Sequence, residues 1–167
     1  MSVDPLPFDP IGEARRLWEA HGWGGTAPGM AAVTSIMRAQ QLLLKRIDEQ
    51  LRGLGLTFAR YEVLMLLHFS RRGSLPMSVI GSRLQVHPTS VTSAVDRLER
   101  QGLVRRVAHP TDGRARLAEL TDAGRDLALE ATARLNATVF ADPGLADDEV
   151  EQLIDVLRAL RERAGDF

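Results

Sequence analysis

Along most of the chain, apolar residues recur at helical spacing between short breaks marked by glycine and proline. Asp9-Pro10 has the form of a helix cap followed by proline at the first helical position, where a missing N–H does no harm. Ile11, Ala14, Leu17 and Trp18 then form an apolar stripe ending at Gly22, and Trp23-Gly24-Gly25 and Pro28-Gly29 predict a loop. A helix this short is not stable alone and must dock. Two tryptophans so close together point to substantial buried area, through structural anchoring or as the wall of a ligand pocket. Residues 30–51 carry Val33, Ile36, Met37, Leu43, Leu44, Ile47 and Leu51, the pattern of one long helix stopped by Gly53 and Gly55. Thr57 is placed to cap the next helix, which carries Phe58, Tyr61, Leu64, Met65 and Leu67 and ends before Gly73. Glu62 stands among these apolar residues, either on the solvent edge of its helix or facing a cavity.

The next stretch departs from that rhythm. A short helix at residues 77–84 and the turn Gln85-Val86-His87 precede a helical pattern beginning at Pro88. At about 100° per residue, Val91, Ala94, Val95 and Leu98 fall on one side and pack inward. Thr89, Ser93, Asp96, Arg97 and Arg100 fall on the other, with Ser90 and Thr92 on the flanks. Two helices joined by a tight turn, the second with an outward hydroxyl and arginine face, describe a helix-turn-helix. Small hydroxyls near a helix N-terminus reach base edges or phosphates, and arginines pair with phosphates or guanines. The candidate DNA contacts are therefore Pro88, Thr89, Ser90, Thr92, Ser93, Arg97 and Arg100. Leu103-Val104-Arg105-Arg106-Val107 and Arg116-Leu117-Ala118-Glu119-Leu120 read as two strands around the turn His109-Pro110-Thr111-Asp112-Gly113-Arg114. A hairpin directly after such a helix makes a winged helix. Arg114, at the tip, is placed to enter a minor groove, and Asp112 to hold the tip in shape by pairing with a hairpin arginine.

Thr121 is placed to cap a further helix carrying Leu127, Ala131, Leu135 and Val139, broken by Asp142-Pro143-Gly144. A last helix at residues 147–164 has Val150, Leu153, Leu157 and Leu160 on one face and three acids in its first turn. The long helix and these last two show more apolar surface than a compact winged helix needs, and dimerisation is the simplest use for it. The predicted fold is mainly α with a small β-hairpin wing. Its parts are an N-terminal extension (1–29), a helical dimerisation region (30–56 and 122–167) and a winged helix-turn-helix (57–121).

Charge changes the picture more than composition does. The formal net charge is −1. Yet residues 83–116 carry seven arginines against three acids, and residues 140–167 carry eight acids against three arginines. Phosphate attraction is local, screened within about 8–10 Å, so a basic patch on an acidic body suits DNA binding. The absence of cysteine removes disulfides, thiol nucleophiles and Cys-ligated metals. No apolar run approaches the roughly 18 residues of a membrane span, and the first residues lack the blocks of a signal peptide, so the expected location is the cytoplasm, with no membrane partner. His21, His68, His87 and His109 lack metal-ligand spacing, and no nucleophile–base set or glycine-rich phosphate loop is present. Neither an enzyme nor a metal or other cofactor is expected.

Val91-Thr92, the run from Val95 to Arg106 (VDRLERQGLVRR), Asp112-Gly113-Arg114-Ala115 and Leu120-Thr121-Asp122-Ala123-Gly124-Arg125, in this order and spacing, resemble the MarR (multiple-antibiotic-resistance regulator) family. The resemblance covers residues 30–160. It implies a cytoplasmic, bacterial homodimer of winged helices that binds double-stranded DNA at an inverted repeat. Arg114 then matches the wing-tip arginine and Asp112 its supporting acid. Thr89, Ser90, Thr92 and Ser93 match the base-facing start of the recognition helix. The family's effectors, often phenolic or other aromatic acids, bind between the DNA-binding lobe and the dimerisation helices and release DNA by favouring a geometry that fits it poorly. The N-terminal extension resembles that of the urate-responsive branch, which carries a tryptophan near Trp18, an acid near Glu62 and an arginine near Arg106. That branch's second arginine falls at Ala94. Trp18, Glu62 and Arg106 are thus the candidate contacts for a small aromatic or anionic effector. The expectation is a transcriptional repressor released by such an effector; the alternative is a constitutive winged-helix DNA-binding protein.

Overall fold

The computed structural model describes residues 6–109, 111 and 115–167. It divides into two compact units, residues 1–49 and residues 50–167.

The first unit contains helix α1 (Pro10–Ala20) and most of helix α2 (Ala27–Arg52). The Asp9 carboxylate accepts from the Ile11 amide at 3.0 Å, and Pro10 occupies the first helical position. α2 begins three residues earlier than its apolar pattern predicts, so Pro28-Gly29 is helix and not loop. Proline in a first turn forfeits no hydrogen bond. No residue of α1 is buried. Trp18 and Trp23 meet edge to face, 5.0 Å between centroids, and His21 stacks on Trp23 at 5.7 Å. Trp23 nevertheless stays half exposed, which differs from the burial expected of this pair.

The second unit holds the core. Helices α3 (Phe58–Phe69), α4 (Met77–Leu84), α5 (Pro88–Arg100) and α6 (Asp122–Leu135) surround a three-stranded antiparallel sheet. Thr57 stands at the N-cap of α3 without a side-chain cap bond; its hydroxyl accepts from Arg60 Nε instead. The hairpin is β2 (Val104–Ala108) paired with β3 (Arg116–Leu120), Val104 opposite Leu120 and Ala108 opposite Arg116. β1 (Ser74–Pro76) pairs with the other edge of β3 and was not predicted, because three residues ending in proline show no alternation. Leu64, Leu67, Ile80, Val95, Leu98 and Leu135 are fully buried at its centre.

One junction explains the Leu120–Gly124 motif. The Thr121 hydroxyl accepts from the Gly124 amide at 3.0 Å, capping α6, and donates to the Gly102 carbonyl at 2.8 Å. Gly124 lies so close to the α5–β2 connection that a Cβ there would stand 2.0 Å from the Leu103 carbonyl oxygen. α5, the hairpin and α6 therefore meet at a point where only glycine fits.

α6 runs on into a π-helical turn (Asn136–Phe140), and α7 (Asp147–Arg163) follows Pro143-Gly144. At its N-terminus the Glu149 carboxylate accepts from the Ala146 amide at 2.9 Å. Ala146 has no oxygen for the return bond, so half of a capping box is present. No residue of α7 is buried. Among the described residues no helix is long and apolar enough to cross a membrane, and no cluster of three or more acids and histidines could hold a metal ion.

Candidate nucleic-acid interface

α5 is oriented by burial. Val91, Val95 and Leu98 are buried, Ala94 partly so, and Thr89, Ser90, Thr92, Ser93, Arg97 and Arg100 are exposed, in the arrangement the wheel predicts. His87 caps the helix: its Nδ1 accepts from the Thr89 amide at 3.2 Å and lies 3.0 Å from the Thr89 hydroxyl. The Thr92 hydroxyl donates to the Pro88 carbonyl, and Arg100 Nε donates to the Asp96 carbonyl. Among the described residues the side chains of Ser90, Ser93 and Arg97 make no hydrogen bond or ion pair, and they are the groups of this face most available to a partner. Pro88, exposed at the first position, presets the helical backbone.

Arg106, on β2, faces α5. Its guanidinium forms ion pairs with Asp96 and, at 2.6 Å, with Glu99, while the other Glu99 oxygen accepts from its own amide at 2.9 Å. Partial burial by itself lowers the pKa of this guanidinium, but the hydrogen bonds and charges of Asp96 and Glu99 outweigh that and hold it above its ordinary value. The fork ties the wing root to the recognition helix. It also offsets one of the two acidic charges of α5 and draws both carboxylates toward the wing root, leaving Arg97 and Arg100 as the cations of the outward face. On the hairpin, Arg105 pairs across the strands with Glu119.

The other predicted residues fall in different places. Arg114 and Asp112 lie outside the described residues. Trp18 belongs to the first unit. Glu62 belongs to the second, on a cavity of about 440 Å³ lined by Phe58, Tyr61, Met65, Leu66, Phe69 and Phe140, with Thr132 and Asn136 as further polar groups. Burial pushes the Glu62 carboxyl above its usual range. Arg106 is not part of that lining. Sequence reading missed Arg60, which shares with Arg97 a cleft at the start of α3. No periodicity marks it, since the two arginines meet only through the fold.

An exposed hydroxyl–arginine helix face, fixed to a hairpin and standing on a closed core, defines a winged helix-turn-helix DNA-binding protein. Residues 54–115 match the family model described as MarR family. The chain is 53% identical to Sco5413, a MarR family transcriptional regulator from Streptomyces coelicolor; the match covers 84% of this chain and 97% of that one, with a TM-score of 0.76. It is 29% identical to Sco3205, a MarR family regulator from the same organism solved in complex with DNA, over 78% of this chain and 84% of that one (TM-score 0.68). It is 28% identical to CouR from Rhodococcus jostii RHA1, solved bound to p-coumaroyl-CoA, over 75% and 87% (TM-score 0.64). The chain belongs to the MarR family and is a DNA-binding transcriptional regulator, as Sco5413 and Sco3205 are transcriptional regulators.

Proposed function

We propose that the protein acts as a homodimer on an inverted-repeat operator, each copy reading one half-site, and that it represses transcription until a small molecule releases it. The observation that carries the dimer is apolar surface left uncovered in the single chain. α2 exposes Val33, Ile36, Met37 and Leu42; α7 exposes Leu153, Ile154, Val156 and Leu160. Each of the two helices thus leaves a row of four large apolar side chains in solvent, and a second copy would cover them. Ser90 and Ser93 then face base edges in the major groove, with Thr89 and Thr92 beside them and Arg97 and Arg100 on phosphates. Arg114, supported by Asp112, reaches the minor groove.

Ligand control has two supports: the small-molecule complex of CouR and the apolar cavity beside Glu62. Its volume and aromatic walls suit a small aromatic body. Trp18 and Arg106 are the remaining candidate contacts. One observation favours the constitutive alternative: Arg106 is already held by two carboxylates. Melting against a panel of aromatic acids separates the readings, because a ligand of the native state raises the melting temperature. A saturable rise accompanied by loss of DNA binding supports release by an effector. No rise across the panel supports the constitutive reading.

A further inference from the structure

We propose that Arg60 is a DNA contact, and that with Arg97 it holds one backbone phosphate in the cleft between the start of α3 and the outer face of α5. The proposal rests on the DNA-binding assignment and adds a contact from a second helix.

The cleft, about 460 Å³, is lined by Thr57, Arg60, Thr89, Ser90, Ser93 and Arg97, besides two alanines. Two cations and four hydroxyls face one space, and no acid is among the lining residues. Among the described residues neither arginine is paired with a carboxylate. Asp96 and Glu99, the acids of α5, are committed to Arg106. Arg60 is aimed by fixed partners: its Nε donates to the Thr57 hydroxyl at 3.2 Å, and one Nη donates to the Gln101 amide oxygen at 3.3 Å. Gln101 is itself anchored, its amide nitrogen donating to the Gly55 carbonyl at 3.2 Å. Partial burial, and then the charge of Arg97, lower the Arg60 pKa. Like charges brought together are relieved by an anion between them. The adjacent surface already reads DNA, so the anion nearest to hand is a backbone phosphate. Phosphate oxygens suit guanidinium forks, and hydroxyls supply further donors.

The test uses the full-length protein and the duplex it selects from a random pool. Arg60→Ala should weaken binding roughly tenfold or more, the worth of one charge-assisted hydrogen bond, and by the same factor on a random duplex. The salt dependence of log K for the dimer should flatten, by up to about 1.8, or 0.9 for the phosphate of each half-site; Arg60→Lys should keep most of the slope. Should the alanine variant fold poorly, Gln101→Glu places a carboxylate on Arg60 and should reproduce the flattening. On wild-type protein, one methylphosphonate linkage per half-site should weaken binding, and that linkage should weaken Arg60→Ala by a clearly smaller factor, because only Arg97 then stands on it. An unchanged slope with a lowered melting temperature would make Arg60 purely structural and overturn the proposal. A loss confined to the selected duplex would make it a base reader and overturn it too. A saturable rise in the melting temperature of the free protein with inorganic phosphate, absent in Arg60→Ala, would assign the cleft to a free anion instead.

Discussion

The DNA-reading lobe and the terminal helices have comparable shares of apolar residues and use them in opposite ways. In the lobe, α3, α4 and α5 turn their apolar stripes on one another and on the sheet, so Leu64, Leu67, Ile80 and Leu98 are fully buried. α1 and α7 bury nothing, and α2 keeps Val33, Met37 and Leu42 in solvent. The lobe is finished as one chain and the terminal helices are not. A regulator that reads a two-fold operator needs this division, because the reading surface must be rigid in each copy while the spacing between copies is set elsewhere.

The largest expected effects break the finished side. Gly124→Ala would drive a methyl into the Leu103 carbonyl, and should cost about 3 kcal/mol or more in denaturant unfolding. Leu64→Ala should cost about 2–5 kcal/mol, whereas Leu160→Ala, the same deletion on α7, should change the unfolding of dilute single chains by less than about 0.5 kcal/mol. Equal costs at the two sites would remove the contrast. Next comes the fork between wing and reading helix. Arg106→Ala should cost about 1 kcal/mol of stability, as the pair is only partly shielded. It should reduce DNA affinity by a larger factor, measured by anisotropy, because two uncovered carboxylates would then face the phosphates.

A pH effect sharpens the same contrast within the lobe. Burial raises the folded-state pKa of Glu62 above its unfolded value, so the native state binds the proton more tightly. Stability linked to this group is present below the unfolded pKa and declines as pH rises through the raised one. Glu62→Gln should remove that decline, and melting temperatures across this window should be flatter than in the wild type. The smallest effect is at the edge of the unfinished side. Ala146→Ser supplies the missing half of the α7 capping box and should add about 0.5–1 kcal/mol to the local stability of that helix, read by hydrogen exchange of its first turn.

Legibility followed the range of the forces involved. Caps and stripes are local, so α1, α4, α5 and β3 were readable to within a residue or so at each end, and the outward face of α5 could be listed residue by residue. The start of α2 is not legible, because proline and glycine ordinarily mark a break, although a first helical turn tolerates both. β1 was invisible because its strand character comes from β3, more than forty residues away. The partners of Arg106 lie across an element boundary, so its place at the wing root was legible and its commitment to Asp96 and Glu99 was not. Arg60 illustrates the same limit: nothing near it in the chain marks it, and it joins the reading face only when α3 is laid beside α5.

Under the proposed function, the lobe reads DNA while the terminal helices join two copies to do it. The most direct measurement is the mass, by light scattering, of the complex with the selected duplex. Two chains per duplex are expected, with Ile154→Asp losing both the dimer and tight binding while retaining the unfolding profile of the lobe. A stable complex containing one chain per duplex, at full affinity, would contradict it.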